Sequence, residues 1–312
     1  MAKCVLVADH FHDEAAAVAF IEARLWPNGP VCPHCGERSK LGRLNAKGFK
    51  LGMWKCYGCR KKFAVTVGTI MESSHIPLRV WLQGIHLMCS SKKGFSANQL
   101  HRILGVTLKS AWFLSHRIRA ARMEMHMEPM GAEGEFVEAD ETFIGRKSTS
   151  RAYEPPTKKQ AVLALVQGGG WGRSFHIPNV TAANIRPIIA KHVHTDSSFQ
   201  TGESNVYGAY WATFADRGVG NHSQKEYVLE TDYTKTIEGY FSILKRGIYG
   251  IYQYISEAHL HRYLAEFDFG YSHRMKTGFN DTVQMEKTLT GIAGKRLTYR
   301  STGGSRAAQV AK

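Results

Sequence analysis

The chain has 312 residues, 43% of them hydrophobic, with 41 Lys and Arg against 26 Asp and Glu for a formal charge of +15. That apolar content excludes a mostly disordered chain and supports one large domain with one or two small ones. No run reaches the roughly 18 apolar residues of a membrane-spanning helix, and MAKCVLVADHFHDEA turns acidic after a few apolar positions, so a cytoplasmic protein without a membrane role is expected.

Positive charge in this excess sets up a surface potential that collects polyanions, which makes nucleic acid the leading partner class. A basic protein with no such partner is the alternative. Cys4 and Cys89 stand alone in apolar surroundings and the other four cysteines form CxxC pairs, a usage suited to a reducing compartment.

Residues 11–25, FHDEAAAVAFIEARL, put Phe11, Val18, Ile21 and Leu25 largely on one helical face, and WPNGP at 26–30 breaks the helix. A short docking helix over residues 1–30 is expected. Next come Cys32, Cys35, Cys56 and Cys59, with two residues inside each pair and 20 between the pairs. Two such knuckles can aim four thiolates at one tetrahedral zinc, whose binding supplies stability that so short a segment cannot draw from a core. A redox CxxC is the competing reading. His34, inside the first knuckle, is expected to face solvent because four thiolates complete the shell. The zinc unit is placed at 31–70.

From 71 to 130 the pattern is helical: PLRVWLQGIHLMCSS, then SANQLHRILGV, then TLKSAWFLSHRIRAARMEM. The last two segments pivot on Gly105, with Ser96 and Thr107 as caps, and read as a helix-turn-helix. Its second helix would be the DNA reader, offering Lys109, His116, Arg117 and Arg119 while Ala111, Leu114 and Ile118 pack inward. A helical hairpin belonging only to the core is the alternative.

Strand patterns follow at 135–145, 159–167 and 172–180, with GGGW as a turn, suggesting an antiparallel meander. Then come a helix, AANIRPIIAKHV, a strand-like SSFQT, and helices from TIEGYFSILKRG and SEAHLHRYLAEFDF. Three strands, a helix, a strand and further helices is the order of an RNase H-like domain, here 131–290. The fold class expected is therefore mixed, α+β or α/β. Residues 291–312 are expected to form a loose basic tail.

Two-metal phosphodiester chemistry gathers acidic side chains from distant segments around hard cations. Asp140, mid-strand in VEADETFIG, is costly to bury without a metal or a partner, and Glu138 shares its face. Glu238 and Lys245 lie seven residues apart, two turns along one helix face. A carboxylate and an ammonium there suit metal binding and phosphate holding, although the helix dipole favours the same placement.

Taken in order, CPHC, KCYGCRKKF, VGTIMESSHIPLRVWLQGIHLMCSSKKG, SANQLHRILGV, VEADETFIGRK, NHSQKEYV, TIEGYFSILKRGIYG, SEAHLHRYLAEFDF and KRLTYR resemble the zinc-ribbon class of bacterial insertion-sequence transposases over nearly the whole chain. The resemblance implies an RNase H-like DDE domain that binds terminal inverted repeats in double-stranded DNA and cuts and rejoins them with Mg²⁺ or Mn²⁺, assembled at least as a dimer. It makes Asp140 the first catalytic acid and Glu238 the third, with Lys245 as basic companion.

The second acid departs from that pattern. Relatives carry Thr-Asp-Glu followed by Tyr, and the matching run here is QTGESNVY, which puts Gly202 where the Asp stands. Asp196 lies six positions earlier, roughly 20 Å along a strand at about 3.3 Å per residue, and Glu203 is expected to point to the opposite face. Lys235 replaces the Asn of Thr-Asn-Thr, Tyr233 replaces a His, and FGYS at 269–272 replaces Phe-Arg-Tyr-Asn. The expected function is thus a transposase with impaired catalysis, the alternative being a DNA-binding relic or a competitor of active copies. A zinc-ribbon transcription regulator accounts poorly for the long C-terminal half.

Overall fold

A computed structural model describes residues 4–124, 127–145, 159–202, 206–207, 213–214, 216–220 and 235–297. The chain divides into two compact units, one of Met1–Ile85, Ala97–Ala121 and Lys287–Lys312, the other of His86–Ser96 and Arg122–Glu286. The ribbon shares its unit with 71–85 and 97–121 of the helical region, while 86–96 and 122–130 fall in the other.

In the first unit, α1 (Glu14–Leu25) starts where the Asp13 carboxylate accepts from the Ala16 N–H at 2.7 Å, and it buries Ala17, Val18 and Ile21. A three-stranded antiparallel sheet follows, β1 (Leu41–Arg43), β2 (Met53–Cys56) and β3 (Lys62–Ala64) in that order. The Glu14 carboxylate accepts the free N–H groups of Leu78 (2.7 Å) and Arg79 (3.2 Å), fixing the start of α2 (Leu78–Cys89). Then come α3 (Ala97–Leu104) and α4 (Leu108–Arg122), separated at Gly105, whose φ of 64° an L side chain would strain. The Thr107 hydroxyl accepts from Ser110 N–H at 3.2 Å as the cap of α4. Gly84 lets α4 approach α2 closely, since a Cβ there would lie 2.9 Å from Leu114.

Residues 291–297, expected to begin a loose tail, are instead tied to 68–72. Ile70 N–H donates to Ile292 O at 3.0 Å, Gly294 N–H to Gly68 O at 2.8 Å, and Arg296 pairs with Glu72 at 3.5 Å. The remainder of the expected tail, 298–312, lies outside the described residues.

The second unit is built on a five-stranded sheet. Its strands are β4 (Phe136–Ile144), β5 (Gln160–Gln167), β6 (Gly172–Ile177), β7 (Ser198–Gly202) and β8 (Asp216–Gly220), in the order β6-β5-β4-β7-β8. The first three form the expected antiparallel meander, and β7 and β8 run parallel to β4. The turn after β5 is closed by Gln167 N–H donating to Trp171 O at 2.9 Å, with Gly169 and Gly170 at φ of 88° and 109°. α5 (Ala182–His192) sets Ile185 and Ile189 against Val137, Ala139, Leu163, Leu165 and Phe199 on one face of the sheet. On the other face, α6 (Lys235–Gly247) and α7 (Glu257–Ser272) pack Ile237, Tyr240, Leu244, Leu260 and Leu264 against Ile144, Val162, Ala164 and Val166. Buried from both sides, β5 reads as the continuous apolar run AVLALV. A π turn, Ile248–Tyr252, follows α6, and α8 (Asp281–Thr290) comes last. The strand order and directions are those of an RNase H-like domain.

Candidate functional site

The four ribbon cysteines converge. Their sulfurs lie within 4.8 Å of one another, with Cys32 to Cys59 at 3.7 Å and Cys35 to Cys56 at 3.6 Å. A tetrahedron with Zn–S near 2.3 Å has edges of roughly 3.8 Å, so the thiols fit a structural zinc. The knuckles share a left-handed residue after the second cysteine, Gly36 at φ 76° and Arg60 at 63°; in the first, Gly36 N–H donates to Cys32 O at 2.9 Å, and in the second, Cys59 N–H donates to Cys56 Sγ at 3.4 Å. Trp26, Leu41, Trp54 and Phe63 pack around the cluster, and His34 is exposed, as expected.

α4 differs from the sequence expectation. Ala111, Leu114 and Ile118 are fully buried, but so are His116, Arg117 and Arg119, each 4% exposed or less. The Arg117 guanidinium donates to Ile70 O at 2.7 Å, Glu72 O at 2.8 Å and Leu297 O at 3.2 Å, and Arg119 donates to Ser115 Oγ at 3.0 Å. These side chains satisfy backbone carbonyls and hydroxyls inside the unit. Of the four residues proposed to reach DNA from this helix, Lys109 alone is exposed.

The expected acids gather on the α6 side of the sheet. Glu138 and Asp140 alternate on β4, pairing with Val166 and Ala164 of β5, which belong to the core beneath α6 and α7. On β7, Gln200 is in register with Glu138 and Thr201 with Ala139, so Gly202 stands one step on, beside Asp140. A Cβ built on Gly202 meets nothing within 4 Å. Asp196 is exposed, before the start of β7 and toward the opposite end of β4. Glu203, Tyr233 and the run NHSQKEYV at 221–228 lie outside the described residues.

Glu138, 2% exposed, accepts the Ile237 N–H at 2.8 Å through Oε2, while its Oε1 is buried with no hydrogen-bond partner among the described residues. Burial raises its pKa to about 7, and the charges of Glu238 and Asp140 push the same way. Glu238 is exposed in the first turn of α6. Lys245 is half-buried, its ammonium 5.9 Å from the Phe241 ring centre, and no ion pair joins it to Glu238 among the described residues. Behind Asp140, Tyr207 donates to the Glu141 carboxylate, and burial raises the Tyr207 pKa. The one sequence signal for this pair is the Tyr that ends QTGESNVY.

These oxygen donors are of the kind Mg²⁺ or Mn²⁺ takes. Among the described residues, however, three or more ligand groups converge at the cysteines and not at the acids. Among the described residues, Gly202 adds no ligand atom to this set.

No helix among the described residues is long and apolar enough to cross a membrane. Residues 132–272 match the family model of the ISXO2-like transposase domain, and residues 12–62 match that of the transposase zinc-ribbon domain. The chain is also 22% identical over 274 residues to an uncharacterised protein in the transposable element ISH50 of Halobacterium salinarum, covering 82% of this chain and 90% of that protein. With its cysteine cluster, its RNase H-like sheet and both matches in the same order along the sequence, the chain belongs to the zinc-ribbon transposases of insertion sequences.

Proposed function

We propose that this transposase binds the terminal repeats of its element as double-stranded DNA, assembled as a dimer or larger, and has lost most of its metal-dependent strand cleavage and transfer. The observation that carries this reading is Gly202, placed by strand register beside Asp140 with open space where a carboxylate would project. Asp140 and Glu238 remain as the first and third acids, with Lys245 as companion. A cation held by two carboxylates lacks the charge that offsets its dehydration; the side chain of Lys235 lies outside the described residues.

This chain's own residues still perform part of the task. Glu138 fixes the first turn of α6 to β4, and the four cysteines hold the zinc unit. The protein in this reading recognises ends and occupies them, as a relic or as a competitor of active copies.

A second reading keeps catalysis and gives the missing role to Glu138, whose orphaned Oε1 favours it. Cleavage of a labelled duplex carrying the element's ends, in Mg²⁺ or Mn²⁺, separates the two. Cutting by Gly202→Asp alone supports the impaired transposase. Cutting by the native protein, lost on Asp140→Ala and on Glu138→Gln, supports the second.

A further inference from the structure

Burial of His116, Arg117 and Arg119 takes three of the four expected DNA contacts away from α4, and the zinc ribbon offers another surface. Its two sheet faces differ. Leu41, Trp54, Cys56 and Phe63 alternate onto the face that packs around the cysteine cluster. The opposite face carries the cross-strand row Gly42, Lys55 and Lys62.

Two lysines directly opposed on neighbouring antiparallel strands repel, and such a pair destabilises a sheet unless an anion bridges it. No carboxylate pairs with either lysine among the described residues. Each lies instead against an exposed aromatic ring, Lys55 Nζ at 5.4 Å from the Tyr57 centroid and Lys62 Nζ at 4.7 Å from that of Phe49. Tyr57 is 57% exposed and Phe49 40%. The Tyr57 ring lies where a side chain at position 42 would stand, since a Cβ there would come within 2.9 Å of it. The row is therefore a shallow basic strip, with the Tyr57 ring over Gly42 and the Phe49 ring beside Lys62.

We propose that this strip, Lys55 and Lys62 flanked by Tyr57 and Phe49, is a contact surface for the phosphate backbone of duplex DNA. It rests on the DNA-binding reading above. The lysines supply charge to adjacent phosphates, and the rings give flat apolar contact to the sugars. Hydrogen-bond donors of this kind position a protein on the duplex without reading bases.

The test measures binding of the full chain to a labelled random-sequence duplex by anisotropy across a salt series, native against K55Q/K62Q. Each phosphate neutralised contributes about 0.9 to the slope of log affinity against log salt, so the double variant should lose about 1.8 and bind every duplex more weakly. Tyr57→Ala with Phe49→Ala should weaken binding and leave the slope unchanged. The thiolate absorption of Co²⁺-loaded protein, unchanged in each variant, shows that the ribbon is intact. An unaltered slope in K55Q/K62Q overturns the proposal, and a slope that falls in Lys109→Gln instead moves the contact to α4. If the native protein binds no duplex, this proposal and the DNA-binding reading fall together. If it binds random duplex through the strip but shows no preference for element ends, the strip stands and the end-binding reading falls.

Discussion

Glu138 Oε2 accepts the backbone N–H of Ile237 at 2.8 Å, so a side chain of the central strand caps the first turn of the helix that carries Glu238. The bond lies two residues from Asp140 on one side and one residue from Glu238 on the other. Glu138→Ala should lower stability by about 1–3 kcal/mol, because it leaves a buried donor unpaired. Glu138→Gln keeps an acceptor and should lose less. Hydrogen exchange at the Ile237 amide is the check: fast in the Ala variant, protected in the native protein and the Gln variant.

A Cβ at position 202 meets nothing within 4 Å among the described residues, so the Gly202→Asp side chain would start beside Asp140 without a clash at that atom. In chelator, repulsion between the two carboxylates should cost about 1 kcal/mol, since each disfavours the other's charged form. In millimolar Mn²⁺ the variant should regain that and more, because a ligand that binds the folded state stabilises it by mass action. Thermal unfolding with and without Mn²⁺ measures both, and a native protein gaining as much from Mn²⁺ would contradict the proposed loss of cation affinity.

Arg117→Met should destabilise by about 3–5 kcal/mol, because three backbone carbonyls lose a charged donor inside the first unit. Lys109→Met, at an exposed position of the same helix, should change stability by less than about 0.5 kcal/mol. Denaturant titration separates the two.

Zinc removal should unfold the ribbon, since its binding free energy is largely folding free energy for so small a core. A strong chelator should therefore open sites for proteolysis between residues 31 and 67, and added Zn²⁺ should close them. Protease resistance that is indifferent to chelator would argue for a ribbon stable without metal.

Asp268 accepts from Ser174 N–H at 2.9 Å, from Ser174 Oγ at 2.7 Å and from the Tyr240 hydroxyl. Burial raises its pKa to about 7, against those hydrogen bonds, which lower it. The folded state thus holds a proton that the unfolded state has released between about pH 4 and 7. Stability should fall as pH rises through that window, with a slope approaching 1.4 kcal/mol per pH unit from this group. Asp268→Asn should flatten that part of the curve in denaturation series from pH 5 to 8.

Much of this architecture is legible in the sequence, for identifiable reasons. The ribbon needs only the spacing of four cysteines, and the meander announces itself through the apolar run of β5 and the glycines after it. β8, DRGVG, was invisible, because a parallel strand of charges and glycines takes its definition from the ladder with β7 rather than from its own propensity. α8 held only Met285 and Leu289 as a buried i, i+4 pair, too short a signal. α4 misled because arginines are usually exposed, whereas here the chain returning at 292–297 and the segment at 70–72 supply or surround the carbonyls that Arg117 satisfies. The Gly202 departure is readable only against the family pattern; residue chemistry alone gives no signal for an acid that is not there.

The open space beside Gly202 also bears on how such a copy ages in a genome. No described atom lies within 4 Å of a Cβ at position 202, so an aspartate there would displace none of them at that atom. A glycine codon ending in a pyrimidine becomes an aspartate codon by one transition. In the reading proposed above, recovery of mobility begins with a change that the described fold does not resist, and the departures at Lys235, Tyr233 and 269–272 set how far that single change carries it.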